Sequence, residues 1–256
     1  MILCGALALS AFSGCDTGKT QSANSDAKGS DTSETNKHTD ITDANEENSE
    51  PVELTGEFRD ITAFELVSQM NIGWNLGNSL DATGNDETSW GNPVITPTFI
   101  QAVKDAGFNT IRIPITWYKH MGEAPDYAIE DEWLDRVQEV VDYAMGIGMY
   151  TIINVHHDGG DAWLTPAPAD EAEKNAMTEK YTKLWEQISS RFQDYNERLV
   201  FESMNEFHEG YGTPQQSWLD LTNELNQTFI DTIRISGGNN DKRVVLLPGY
   251  NTNIEH

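Results

Sequence analysis

Five short runs rich in Ile, Val, Leu and aromatic side chains recur along the chain, at residues 71–77, 110–115, 150–157, 199–206 and 244–251. They begin about 40 residues apart, room for one strand, one helix and two loops. Strands with one wet face alternate apolar and polar positions, whereas strands that are apolar nearly throughout belong to a parallel sheet covered on both faces. The repeat therefore restricts the fold to an α/β architecture made of right-handed βα units.

The segments between the runs have helical spacing and recognisable ends. Thr96-Pro97 is an N-cap followed by proline at the first helical position, and Gly107 closes that helix. Trp133, Leu134, Val137, Val140, Val141 and Ala144 form a second apolar stripe, stopped by Gly146 and Gly148. Tyr181, Leu184, Trp185, Ile188 and Phe192 form a third, and Trp218, Leu221, Leu225, Phe229 and Ile233 a fourth. Five strands with four intervening helices suit either an open doubly wound sheet or the first five units of a (β/α)8 barrel. Residues 73–78 lack the glycine spacing of a dinucleotide loop. Polar residues gather at the carboxyl ends of the runs, at Asn78, at His156, His157 and Asp158, and at Asn205 and Glu206. Both architectures place their active sites on that rim. Arg112 lies among Ile111, Ile113 and Ile115, where a charge needs a carboxylate partner.

The front of the chain has a different composition. Residues 1–12 carry no charge and are apolar or small, and Cys15 follows. Residues 16–57 hold 11 acidic and 3 basic side chains and no aromatic one, too little apolar area to offset chain entropy. The expected organisation is a signal peptide of lipoprotein type at 1–15 with Cys15 lipidated, a disordered acidic linker at 16–58, and a folded domain at 59–256. An ordinary cleaved signal peptide with an incidental cysteine is the alternative. Both cysteines, Cys4 and Cys15, lie in this front segment, so the domain has no disulfide. The net charge of -26 leaves no cationic surface for nucleic acid. No run approaches the roughly 18 apolar residues that span a bilayer, so contact with a membrane is expected only through Cys15. The product is then secreted or lipid-anchored to a bacterial cell surface.

Several motifs occur in order: Gly73-Trp74-Asn75-Leu76-Gly77-Asn78-Ser79-Leu80-Asp81-Ala82, Trp90-Gly91-Asn92-Pro93, Asn109-Thr110-Ile111-Arg112-Ile113-Pro114, Asn154-Val155-His156-His157 and Phe201-Glu202-Ser203-Met204-Asn205-Glu206. Together they resemble glycoside hydrolase family 5, whose retaining endo-β-1,4-glucanases and xyloglucanases have a (β/α)8 barrel. The resemblance covers roughly residues 60 to 251 and implies a (β/α)8 barrel of which about the first five βα units are present. It implies Glu206 as general acid/base, Asn205 holding the sugar 2-hydroxyl, Arg112 bonding the nucleophile and His156 beside it. Asn78, Asp81 and His157 match sugar contacts. No cofactor and no metal are implied, and the partner is a neutral β-glucan taken by a protein that is monomeric when complete. Where the family has proline after the acid/base, this chain has Phe207.

Each residue also has a plainer reading. Glu206 could be a solvated carboxylate at a strand end, and Arg112 a structural barrel arginine. His156, His157 and Asp158 suggest a metal site, but strand alternation would let only His156 and Asp158 converge. Glu202 shares the parity of Glu206 and is expected to point inward as a buried polar partner. Trp133, Trp185 and Trp218 sit on helical stripes and are assigned to packing, whereas Trp90, Trp117 and Trp163 lie in loops or just past strands and could stack on pyranose rings.

A retaining barrel enzyme needs a second carboxylate about 5 Å from the acid. The family takes it from the seventh strand, and at about 40 residues per unit the last three units would need on the order of 120 residues more. The expectation is therefore an N-terminal fragment of a secreted endo-β-glucanase, inactive as 256 residues alone. The alternative from another class is a complete, non-catalytic glucan-binding or inert product.

Overall fold

A computed structural model describes residues 52–160 and 162–253. The export segment, Cys15, the linker as far as residue 51, Asp161 and residues 254–256 lie outside the described residues.

The chain enters through α1 (Ala63–Met70), which begins at a reciprocal cap: Thr62 Oγ1 accepts from the Glu65 amide while the Glu65 carboxylate accepts from the Thr62 amide. Then follow β1 (Gly73–Asn75), α2 (Pro97–Asp105), β2 (Thr110–Ile113), α3 (Asp131–Gly146) and β3 (Tyr150–Asn154). The last described elements are α4 (Glu171–Arg191), β4 (Leu199–Glu202), α5 (Gln216–Ile235) and β5 (Val245–Leu246). Thr96 caps α2 as its sequence requires, accepting from the Phe99 amide with Pro97 in the first turn. Asp170 caps α4 through the Ala172 and Glu173 amides. Among the described residues no helix is long and apolar enough to cross a membrane.

All pairings are parallel, and the spatial order is β1-β2-β3-β4-β5, the order of the sequence. A doubly wound sheet reverses direction at a switch point, and this sheet does not. Each helix returns the chain to the next strand on the same side, which is the progression of a (β/α)8 barrel over five units. The outward side chains of the strands, including Ile111, Ile113, Ile153, Leu199 and Phe201, share one apolar core with α2 to α5. The inward side chains Tyr150, Ile152 and Val200 make a second cluster with Leu66 and Met70 of α1. Thr110 Oγ1 donates to the Met70 carbonyl, so α1 closes the barrel interior at the amino ends of the strands. Further up the same inner faces stand Asn75, Arg112, Asn154 and Glu202, each offset by an even number of residues from the strand positions below.

Two expectations need correction here. The linker was expected to reach residue 58, but Phe58 is buried and Leu54 packs against the core. Gly56 N donates to the Asp194 carbonyl, and Asn196 Nδ2 donates to the Glu53 carbonyl, so this stretch is held by the β4 approach. The ladders are also shorter than the apolar runs: pairing on β3 ends at Asn154 and on β4 at Glu202. Residues 155–158 and 203–206 therefore escape strict strand alternation.

Candidate active site

The site is organised around Arg112. With Ile111 and Ile113 committed to the outer core, β2 must turn Arg112 inward. Its Nε and Nη2 donate to the two carboxylate oxygens of Glu202, both at 2.6 Å, the fork geometry that favours arginine over lysine. Nη1 donates to Asn75 Oδ1 at 2.9 Å and Nη2 to Asn205 Oδ1 at 2.9 Å. Burial disfavours the cation, yet hydrogen bonds and charge from Glu202 win, helped by Glu206 and Asp81, and raise its pKa above the ordinary value. Four of its five N–H groups are thus engaged among the described residues, and one on Nη1 is left. Glu202 is the buried partner that its parity indicates.

Because Asn205 Oδ1 accepts from Arg112, its amide NH2 is turned to donate elsewhere. Glu206 follows, with an exposed side chain on a backbone of φ 39°, a left-handed conformation rare for a residue with a Cβ. Thr252 Oγ1 accepts from the Glu206 amide at 3.1 Å. Phe207, in the place of the family's proline, is buried in the core, and its carbonyl accepts from Asn251 N. The Glu209 amide donates to the Tyr250 hydroxyl. Glu206 and the segment after it are therefore pinned to the turn that follows β5.

His156 and His157 do not diverge as strand neighbours would. His156 N donates to the Ile115 carbonyl and His157 N to Thr116 Oγ1, and the two rings meet edge to face with centroids 4.5 Å apart. Asp158 is the residue that turns away. It is fully buried and accepts from the Trp117 amide at 2.9 Å and from Trp163 Nε1 at 2.8 Å. The expected convergence of His156 with Asp158 is thus incorrect, because the β3 ladder has already ended. Burial, then Arg112 and His157, push the His156 pKa down to about 2. Burial also lowers that of His157, against the pull of Asp81 and Glu206.

Asp81, His156 and His157 bring ligand-type atoms within 4.8 Å of one another, with His156 Nδ1 already facing the Asn154 amide. The Asn154 amide nitrogen lies 3.1 Å from His156 Nδ1. Asp81 is buried, against its expected role as a direct sugar contact: Oδ1 accepts from the Ser79 amide, and Oδ2 lies 3.9 Å from His157 Nε2. It shapes the loop and faces His157.

The aromatic candidates separate. Trp90 is 45% exposed and leans on His157 with ring centroids 5.3 Å apart. Both line an open depression of about 440 Å³ with Thr83, Tyr118 and Lys119. Trp117, expected as a sugar platform, is instead completely buried and donates to the Asn154 carbonyl. Trp163 is tied to Asp158, and Lys180 Nζ sits 4.7 Å from its ring centre, so that face is covered. Asn78 is exposed on the loop after β1 at φ 61°, and the neighbouring Gly77 carbonyl accepts from Asn92 Nδ2. The structure thus gathers Arg112, Asn205, Glu206, His156, His157 and Trp90, sets Asn78 nearby, and withdraws Trp117 and Trp163. Sequence reasoning missed Asn75 and Asn154. Their signal was a polar residue at inward parity within an apolar run.

The model of the family described as Cellulase (glycosyl hydrolase family 5) matches residues 76–256. The chain belongs to glycosyl hydrolase family 5. Within that family it is 48% identical over 208 residues to Endoglucanase A of Paenibacillus barcinonensis, a match spanning 78% of this chain and 51% of that protein. The solved family 5 xyloglucanase from Paenibacillus pabuli, in complex with ligand, is 48% identical with a TM-score of 0.72, covering 74% of this chain and 54% of that one. A broad-specificity endoglucanase of Ruminococcus champanellensis, solved with bound cellotriose, is 40% identical with a TM-score of 0.71, covering 77% of this chain and 60% of that one. The chain thus spans about half the length of the family 5 relatives it matches.

Proposed function

We propose that this chain is the N-terminal part of a retaining, endo-acting family 5 hydrolase of β-1,4-glucans such as cellulose, xyloglucan or mixed-linkage glucan. The observation that carries the reading is the Arg112 clamp, which orients Asn205 and leaves Glu206 exposed beside it. In this reading Glu206 protonates the glycosidic oxygen and later deprotonates water, and Asn205 Nδ2 donates to the sugar 2-hydroxyl. His157 and Asn78 hold hydroxyls, and Trp90 stacks on a pyranose. Glu202 is assigned to holding Arg112 rather than to attack, since it is buried and its two oxygens together accept from Arg112 twice and from Asn154 once. The nucleophile is a carboxylate from the part of the relatives' length that this chain does not span, accepting the remaining Arg112 N–H. The export segment with Cys15 and the acidic linker would tether the enzyme outside a bacterial membrane.

The test is the full-length enzyme on a panel of β-glucans, with the anomer of the first product followed by NMR. Retention is expected. Glu206→Gln should cost about 10²- to 10⁴-fold in kcat on unactivated substrates. An inverted product, or a Glu206→Gln enzyme with undiminished kcat, overturns the assignment.

A further inference from the structure

Asn154 ends β3 on the inner face of the barrel and is completely buried. Its Oδ1 accepts from the Ile115 amide at 3.2 Å, which settles which way the side-chain amide faces. The NH2 group is then directed at His156 Nδ1, 3.1 Å away, and at Glu202 Oε1, 3.3 Å away. An amide nitrogen only donates, so Nδ1 accepts, and the neutral imidazole keeps its single proton on Nε2. We propose that Asn154 is a positioning residue that locks His156 in its neutral, Nε2-protonated form and so gives the cleft a fixed N–H donor, suited to a sugar hydroxyl or a carboxylate oxygen.

The surroundings favour the same state. Burial, the Arg112 cation and His157 oppose an imidazolium, while Asp81 faces the histidine pair from the β1 loop. The Glu202 carboxylate that accepts from Arg112 also accepts from Asn154, so one buried anion orients both the guanidinium and the amide that sets the tautomer. No other hydrogen bond to the His156 ring comes from the described residues. A partner that merely satisfied the Ile115 amide would need no NH2 group. The catalytic use of the lock rests on the glucan-hydrolase reading, and the tautomer itself does not.

In the full-length protein labelled with 15N-histidine, His156→Gln assigns the imidazole in question. Long-range 1H–15N spectra should place the His156 proton on Nε2 and keep it there from about pH 5 to 8. In Asn154→Asp the new carboxylate can only accept, so the proton should move to Nδ1, and kcat on a soluble β-glucan should fall about 10- to 100-fold with KM little changed. That variant sets a carboxylate beside Glu202 and could fail to fold, in which case the wild-type spectrum decides alone. A proton on Nδ1, a His156 ring that titrates in that range, or a folded Asn154→Asp with unchanged tautomer and kcat overturns the proposal. A wild-type protein with the expected tautomer but no hydrolysis of any β-glucan sustains the lock and removes the function.

Discussion

Asp158 is a carboxylate whose hydrogen bonds do not compensate for burial. The Trp117 amide and Trp163 Nε1 stabilise its anion and Lys180 adds a distant positive charge, yet desolvation is larger and moves its pKa from 3.8 up to about 6. Below pH 3.8 the group is protonated in the folded and unfolded states, and its favourable contribution is complete. Between that pH and about 6 the unfolded chain releases the proton while the folded chain retains it, so stability falls as pH rises and levels off above. The Asp158→Asn protein lacks this slope. Its urea midpoint relative to wild type should therefore climb across that interval, and parallel curves would refute the assignment. The residue scale is also where the sequence was most and least informative. Arg112 among isoleucines demanded a carboxylate, and parity pointed Glu202 inward. Whether Asp158 or His157 turned toward the cleft depended on where the β3 ladder stopped, which no apolar pattern records.

Among the elements, the junction of α4, β4 and β5 rests on one buried cation. Arg243 donates through Nε to Asn240 Oδ1, through Nη1 to the Asn196 and Leu199 carbonyls, and through Nη2 to the Phe192 and Tyr195 carbonyls. Those carbonyls close α4 and open β4, and Phe201 lies beneath the guanidinium at 4.8 Å. Burial, with Arg234 nearby, lowers the Arg243 pKa to about 9, so the cation is kept for its fork of donors rather than for any ion pair. Arg243→Met leaves five acceptors, all but the Asn196 carbonyl buried, without this partner and should cost about 4 kcal/mol, read by urea denaturation. Arg243→Lys should recover little, since an ammonium cannot reach both pairs of carbonyls. Amide exchange should rise first at the end of α4, and an exchange pattern unchanged from wild type would count against this account. The elements themselves were largely legible. Thr96-Pro97, Gly107 and the four apolar stripes marked α2 to α5, because caps and helical spacing are local signals. α1 was not read from the sequence: it is a short helix whose apolar face covers only the barrel floor, and its capping box from Thr62 to Glu65 is seen in the structure.

At the scale of the molecule, the sheet has two edges among the described residues. β1 pairs only with β2, and β5 only with β4. Edges of this kind are normally closed, covered or charged. Here β1 carries Trp74 at 42% exposure, and Ile72 just before it is 60% exposed, although both belong to an apolar run suited to a covered strand. The net charge of -26 opposes association over distances beyond the Debye length, but it is screened at physiological salt and does not satisfy unpaired backbone groups. The 256-residue chain expressed alone should therefore self-associate in about 0.15 M salt, more strongly as salt is raised, and should not turn over soluble β-glucan. A protein extended to the relatives' length, as proposed above, should remain monomeric under the same conditions. Light scattering with a reducing-sugar assay on both proteins checks this. A monodisperse chain that unfolds cooperatively would mean that its edges are protected by some other device, and turnover by that chain would place the nucleophile within it.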